Sequence, residues 1–198
     1  AYNPNRDEYL VVWQAFDATV GRQQILGRRL DADGFPIGSV LAISRDPAFD
    51  YASATAPVDG NVFDPDVAYD SSSKQYLVAW TDTFEIHAQH LRGDGGFIGP
   101  RAFRVSFMGP ARDPAYHAYN PRLAANRTAA QWLVTWDGDN PDHRVWARRI
   151  AARVEALRDG FKLVRREYPT DLGPVDLLCR DDEGRAGVGE VKRIGEIA

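Results

Sequence analysis

Near the end of the chain, an aspartate, a turn and a Glu-x-Lys triplet are spaced so that two carboxylates and an amine can share one face of a hairpin. They are Asp176, Glu190 and Lys192. The count rests on reading Asp182, Glu183 and Gly184 as a three-residue loop, with Gly184 in the left-handed conformation such loops use. Asp181 then faces Arg185 and Arg180 faces Ala186; further out, Leu178 faces Val188 and Asp176 faces Glu190. Lys192, two residues past Glu190, lies on the same face. Like charges directly opposite on paired strands destabilise a sheet. A divalent cation removes that penalty, because hard cations take oxygen ligands. Magnesium uses one or two carboxylates with waters and substrate phosphates, so Asp176 and Glu190 suit Mg²⁺ or Mn²⁺. Lys192 can orient a water or offset charge on a phosphate. A solvated hairpin with a charged outer face accounts for the same spacing, and the separation of the Asp176 and Glu190 carboxylates decides between the two.

The residues around these positions narrow the choice. The pair Arg166-Glu167 before Tyr168, the run Gly173 to Asp181 (GPVDLLCRD) and the run Glu190 to Arg193 (EVKR) closely resemble the C-terminal nuclease domain of the NucS/EndoMS family. The likeness begins near Arg153 and covers about a quarter of the chain. The resemblance implies a RecB-like, restriction-endonuclease-type fold and mismatch-specific cleavage of DNA. By motif match it makes Asp176 and Glu190 metal ligands and Lys192 the catalytic lysine, with Glu167 a further acidic position of the site. Members of the family continue past the equivalent of Ile197 into a helix and further strands, and they carry an N-terminal DNA-binding and dimerisation domain. Gly187 and Gly189 stand where the family has apolar residues, and glycine inside a strand weakens it. The expectation is therefore a truncated nuclease segment that keeps its catalytic residues, with truncation able to abolish activity. A nuclease of this kind implies a cytoplasmic protein; without it the compartment is open.

The elements that must position these residues are a small α/β segment over 150–198, with one helix and about three strands. Ile150, Val154 and Leu157 recur at i, i+4 and i+7, which predicts a short helix. Net charge is −4, so binding DNA needs a local basic patch. Arg148, Arg149, Arg153, Arg158, Lys162, Arg165 and Arg166 fall close together. Of these, Arg153, Arg165 and Arg166, with Arg193, are expected against the DNA backbone. A solvated surface explains the same charges.

Residues 1–149 repeat themselves. Tyr9 to Trp13 (YLVVW), Tyr76 to Trp80 (YLVAW) and Trp132 to Trp136 (WLVTW) share one pattern, and each is followed by a second strand. Tyr76, Val78 and Trp80 alternate with Leu77 and Ala79, which is strand periodicity with both faces apolar. Asp-Gly and Gly-Gly turns separate the strands. The pattern resembles bacterial β-propeller-like repeats, with about three units. Closed propellers need at least four blades, and repeats bury their faces only against neighbours. Three units therefore need a curled assembly, a homodimer or a longer parent. The fold class expected is mainly β, propeller-like repeats followed by the restriction-endonuclease-like segment. The alternative function is a non-catalytic propeller-type binding or scaffold protein with a nuclease remnant. Its ligand is unknown and would be held by loops at one end of the blades.

Other chemistry finds little support. Cys179 is the single cysteine, so no internal disulfide forms, and a small residue in an apolar strand is its default role. No run of about 18 apolar residues marks a membrane span, so no membrane partner is expected. No signal peptide is visible, and the chain begins at Ala1 rather than Met, which suggests processing or a fragment. His87 and His90 are three apart in a strand and so face opposite ways; His117 and His143 have no partner at ligand spacing. Asp137 to Asp142 is acidic, but Arg148 occupies the place where a calcium loop needs glutamate. No nucleophile elbow, P-loop or dinucleotide fingerprint is present.

Overall fold

The structure is a computed structural model, and it describes residues 1–18, 21–44, 61–109, 113–138, 144–152, 162–168, 175–180 and 186–189. Their regular structure is mainly β, and none of them is helical. The described residues form four antiparallel sheets in sequence order. The first holds β1 (Tyr2–Asn3), β2 (Glu8–Asp17), β3 (Arg22–Leu30) and β4 (Pro36–Ala42). The second holds β5 (Val62–Asp70), β6 (Gln75–Asp82), β7 (Glu85–Arg92) and β8 (Phe97–Arg104). The third holds β9 (Ala118–Asn126), β10 (Gln131–Gly138) and β11 (Arg144–Ala151). The fourth holds β12 (Lys162–Tyr168), β13 (Val175–Arg180) and β14 (Ala186–Gly189). Each sheet is a meander in which sequential strands are neighbours, and none closes on itself.

The three aromatic-flanked runs occupy equivalent strands. Trp13 pairs with Leu26, Trp80 with His87 and Trp136 with Trp146. Alternation then sorts each sheet into two faces. The aromatic face carries Tyr9, Val11 and Trp13 in the first sheet, Tyr76, Val78 and Trp80 in the second, and Trp132, Val134 and Trp136 in the third. The opposite, small-residue face carries Leu10, Ile25 and Gly27, then Leu77, Ala79, Ile86 and Ala88, then Leu133, Thr135, Val145 and Ala147.

Packing follows this division. Tyr76, Val78 and Trp80 bury against Leu10, Ile25 and Ile43 of the first sheet. Trp132, Val134 and Trp136 bury against Leu77, Ala79, Ile86 and Ala88 of the second. In each case the aromatic face of one sheet covers the small-residue face of the sheet before it. At Gly27 a Cβ would stand 2.7 Å from Cδ1 of Ile43, so Ile43 fills the space beside this glycine. The second sheet is covered on both sides, and along β6 every residue from Gln75 to Thr81 is buried. That agrees with the two apolar faces read from its sequence.

The three hairpins also open alike. The side-chain oxygens of Asn3, Asp70 and Asn126 accept the N–H groups of Asn5 (3.0 Å), Ser72 (3.1 Å) and Thr128 (3.2 Å). Each turn then passes through a left-handed residue, Asp7 (φ 53°), Lys74 (φ 56°) or Ala130 (φ 48°), just before the aromatic strand. Asparagine and aspartate favour such turns because their side chains imitate a backbone acceptor.

One expectation is corrected. Ile150 and Ala151 do not begin a helix; they end β11, where Ile150 pairs with Trp132 and Ala151 with Gln131. Ile150 is buried in the cluster shared with the second sheet, and the N–H of Ala152 donates to the Ala130 carbonyl (2.8 Å). The helical spacing of Ile150, Val154 and Leu157 loses to this strand partner. Val154 and Leu157 lie outside the described residues.

Candidate functional site

The fourth sheet carries the predicted metal site, with β13 in the centre between β12 and β14. Its hairpin has the register that the loop count demands: Arg180 pairs with Ala186, Cys179 with Gly187, Leu178 with Val188 and Leu177 with Gly189. Asp176 is the next residue of β13. Its expected partner Glu190, together with Lys192, Arg193 and Arg153, lies outside the described residues.

On the other side of β13, Arg166 pairs with Leu177 and Tyr168 with Val175. The rung between these two pairs belongs to Glu167 and Asp176. A β-bulge after Leu163 sets this phase, because Leu163 pairs with Cys179 while Arg165 pairs with Leu178. Glu167 thus lies on the strand next to Asp176, on the side away from β14. Spacing within β12 cannot reveal this neighbour, since the bulge shifts the register by one residue. Arg165 and Arg166 are consecutive on β12, past that bulge.

Of the basic run, Arg153 and Arg158 lie outside the described residues. Arg148 and Arg149 are consecutive on β11 and take opposite faces. Arg148 turns toward the second sheet: its Nη1 donates to the Val105 carbonyl (3.0 Å), and its guanidinium lies 4.6 Å from the centre of the Phe107 ring. Arg104 contacts the same ring at 4.9 Å. These contacts, not an open basic patch, occupy Arg148.

Among the described residues no group of three or more His, Cys, Asp or Glu side chains is gathered for a metal. His90 is buried against Phe103 and Trp132, and His87 lies 3.7 Å from Asp82.

A second candidate lies where the turns of the first two sheets meet. An open groove of about 360 Å³ is lined by Arg6, Tyr69, Lys74, Arg92 and Asp94, among others. The turns are tied across it. Asn3 Nδ2 donates to the Gly93 carbonyl (3.1 Å), and the Tyr69 hydroxyl donates to Asn5 Oδ1 (2.8 Å). Arg29 donates to the Asp94 carbonyl and also pairs with the buried Glu8 (3.3 Å). Arg6 pairs with Glu8 from the other side (3.3 Å), and Arg92 with Asp94 (3.4 Å). The Gly96 N–H holds the Asp94 carboxyl below its usual range, and burial pushes the Tyr69 phenol up. Arg6 and Arg92 each have a carboxylate partner and the Tyr69 hydroxyl donates to Asn5, so the groove reads first as a seam joining two sheets.

Comparison with known proteins bears on the C-terminal part. The family described as Endonuclease NucS C-terminal domain matches residues 146–198. The chain is similar to Endonuclease NucS of Mycolicibacterium smegmatis, 62% identical over 48 residues, which is 24% of this chain and 21% of that protein. The corresponding proteins of Corynebacterium diphtheriae and Streptomyces avermitilis are 58% and 56% identical over the same 24% of the chain, covering 21% and 22% of their own lengths. The C-terminal segment thus resembles the NucS C-terminal domain, and the chain spans about a fifth of the length of these relatives. The family match begins at Trp146, inside β11, so its first residues are also part of the third sheet.

Proposed function

We propose that the C-terminal segment is the catalytic part of a metal-dependent DNA endonuclease. The observation that supports this reading is the match of residues 146–198 to the NucS C-terminal domain, and Glu167 and Asp176 lie between the paired residues of β12 and β13. In this reading the hairpin count brings Glu190 opposite Asp176. Three carboxylates in one row across adjacent strands repel unless a cation joins them. Their oxygens are the donors that Mg²⁺ or Mn²⁺ prefers. When bound, such an ion supplies Lewis-acid polarisation of a phosphate and a more acidic water.

The residues of the chain do the remaining work. Asp176, Glu190 and Glu167 hold the ion and orient water around it. Lys192, on the same face as Glu190, offsets charge that develops on the phosphate. Arg153, Arg165, Arg166 and Arg193 contact the DNA backbone without reading sequence, an affinity that must weaken as salt rises. Preference for mismatches is part of this reading through the family resemblance alone. The fourth sheet is read as a portion of a restriction-endonuclease-like α/β fold. The first three sheets are read as propeller-type blades, a reading supported by their shared meander order and front-to-back packing.

The experiment is cleavage of a fluorescent mismatched duplex in Mg²⁺ or Mn²⁺, with EDTA and Asp176→Ala as controls. Metal-dependent cleavage lost in the variant supports the reading. No cleavage by a folded sample in either metal overturns it for this chain, and leaves the first three sheets as a binding or scaffold module.

A further inference from the structure

The groove between the first two sheets is walled by three turns. The β1–β2 turn brings Arg6, the β5–β6 turn Lys74, and the β7–β8 turn Asp94, with Arg92 at the end of β7. Backbone contacts fix these walls. The Gly93 N–H donates to the Lys74 carbonyl (2.9 Å), and the Gly93 carbonyl accepts from Asn3 Nδ2 (3.1 Å). A Cβ on Gly93 would stand 3.2 Å from Asn3 Nδ2 and 3.3 Å from the Tyr69 hydroxyl oxygen, so glycine lets the turns approach this closely.

The ion pairs at the groove leave cationic groups unused. Arg6 reaches Glu8 through Nε (3.3 Å), and Arg92 reaches Asp94 through Nε (3.4 Å). Among the described residues, the terminal Nη groups of both arginines and the ammonium of Lys74 take no partner. Arg29 adds a further charge, donating to the Asp94 carbonyl and pairing with Glu8 (3.3 Å). Four cations thus meet two carboxylates here, on a chain whose net charge is −4. Asp70, at the base of the β5–β6 turn, is buried with its two oxygens engaged by Ser72 and Ser73. The Gly96 N–H is the main cause that holds the Asp94 carboxyl low, and the charges of Arg92 and Arg6 add to it, so arginines from two sheets converge on one carboxylate. The Arg92 and Asp94 side chains are 57% and 52% exposed. Exposed pairs of this kind contribute little, so a more highly charged anion displaces Asp94 from Arg92 readily.

We propose that this groove is a binding site for a phosphate group, free or carried as a monoester on a small organic molecule. Terminal guanidinium N–H groups present the paired donors that phosphate oxygens accept, and Lys74 supplies a point charge beside them. The surplus of cations suits a charge of about −2, which a phosphate monoester approaches near neutral pH and a single carboxylate does not. A cleft concentrates such a field more than an open surface does. The volume of about 360 Å³ is that of a small-molecule site and leaves room for the group that carries the phosphate. The inference is independent of the nuclease reading, since none of these residues lies in the fourth sheet.

The experiment is isothermal titration calorimetry of the full chain at low ionic strength in EDTA, with inorganic phosphate, glycerol phosphate and glycerol as titrants. Phosphate is expected to bind and glycerol is not. Lys74→Gln and Arg92→Gln, both at exposed side chains, should each weaken binding about tenfold, the scale of one lost hydrogen bond to a charged group, with the circular dichroism spectrum unchanged. Asp94→Asn should tighten binding, because the competing charge is gone while an oxygen remains for the Gly96 N–H. Binding of glycerol phosphate as well supports a site for the monoester; binding of inorganic phosphate alone supports one for the free ion. No heat with either anion at two temperatures overturns the proposal. So does binding that Lys74→Gln and Arg92→Gln leave unchanged, which would put the anion elsewhere on the chain.

Discussion

Replacing Asp176 by asparagine is expected to stabilise the fourth sheet when no metal is present. Glu167 and Asp176 share a rung, flanked by Arg166 with Leu177 and Tyr168 with Val175. Residues directly opposite on antiparallel strands have Cβ atoms about 4.5–5.5 Å apart. Two unit charges about 5 Å apart repel by roughly 0.8 kcal/mol in a water-like dielectric and roughly 3 kcal/mol at an effective value of about 20. Asp176→Asn keeps the shape and removes the repulsion, so local opening of β12 and β13 should become about 1–3 kcal/mol harder. Hydrogen exchange of a peptide spanning residues 162–180, followed by mass spectrometry in EDTA, reads this directly. Exchange in the variant should slow by roughly fivefold to a hundredfold. Adding Mg²⁺ at about ten times its dissociation constant should stabilise the unaltered chain by about 1.4 kcal/mol and leave the variant unchanged. The reasoning is refuted if the variant exchanges as fast as the unaltered chain in EDTA and Mg²⁺ protects neither.

Three further predictions concern the stacked sheets. Trp132→Ala removes a fully buried ring whose Nε1 donates to the Ala68 carbonyl (3.2 Å), and should cost about 3–5 kcal/mol in urea unfolding; a loss under about 2 kcal/mol would mean the ring is not part of a tight core. Lys74 is exposed at φ 56°, where a side chain costs about 1–2 kcal/mol, so Lys74→Gly should raise stability by about 0.5–1 kcal/mol after its own entropy cost, while Lys74→Ala should not. Burial raises the Tyr76 phenol from 10.0 to about 12, so the native state keeps its proton where the unfolded chain has lost it. Stability from this group is full below pH 10 and declines as pH rises from 10 to 12, and the alkaline limb of the pH–stability curve should be shallower in Tyr76→Phe.

What the sequence disclosed follows from which forces are local. The turn at Asp182 to Gly184 and the alternation beside it determine register by counting, and the observed pairing of Leu178 with Val188 is the one counted. The strands around Trp80 and Trp136 are legible for the same reason, because β-branched and aromatic residues alternate there. The pairing of Glu167 with Asp176 was not legible, since it depends on a bulge in β12 that no residue type announces. At Ile150 a short apolar period fits a helix and a strand equally, and the presence of Trp132 on the neighbouring strand decides for the strand.

The strand from Arg144 to Ala151 belongs to two accounts of the chain at once. From Trp146 onward it is matched by the NucS family, and along its whole length it is zipped to β10 by eight consecutive residue pairs. The seam between the two kinds of sequence therefore runs through the middle of a hydrogen-bonded ladder and not through a loop. A seam of that kind has no cutting point. Excising residues 146–198 as an autonomous piece would strip an edge strand from the third sheet and leave Trp132 and Trp136 without the residues opposite them. Stopping the first part at Val145 would uncover the same ladder from the other side. Grafting either portion onto a different partner requires that the donor bring a strand able to complete that sheet.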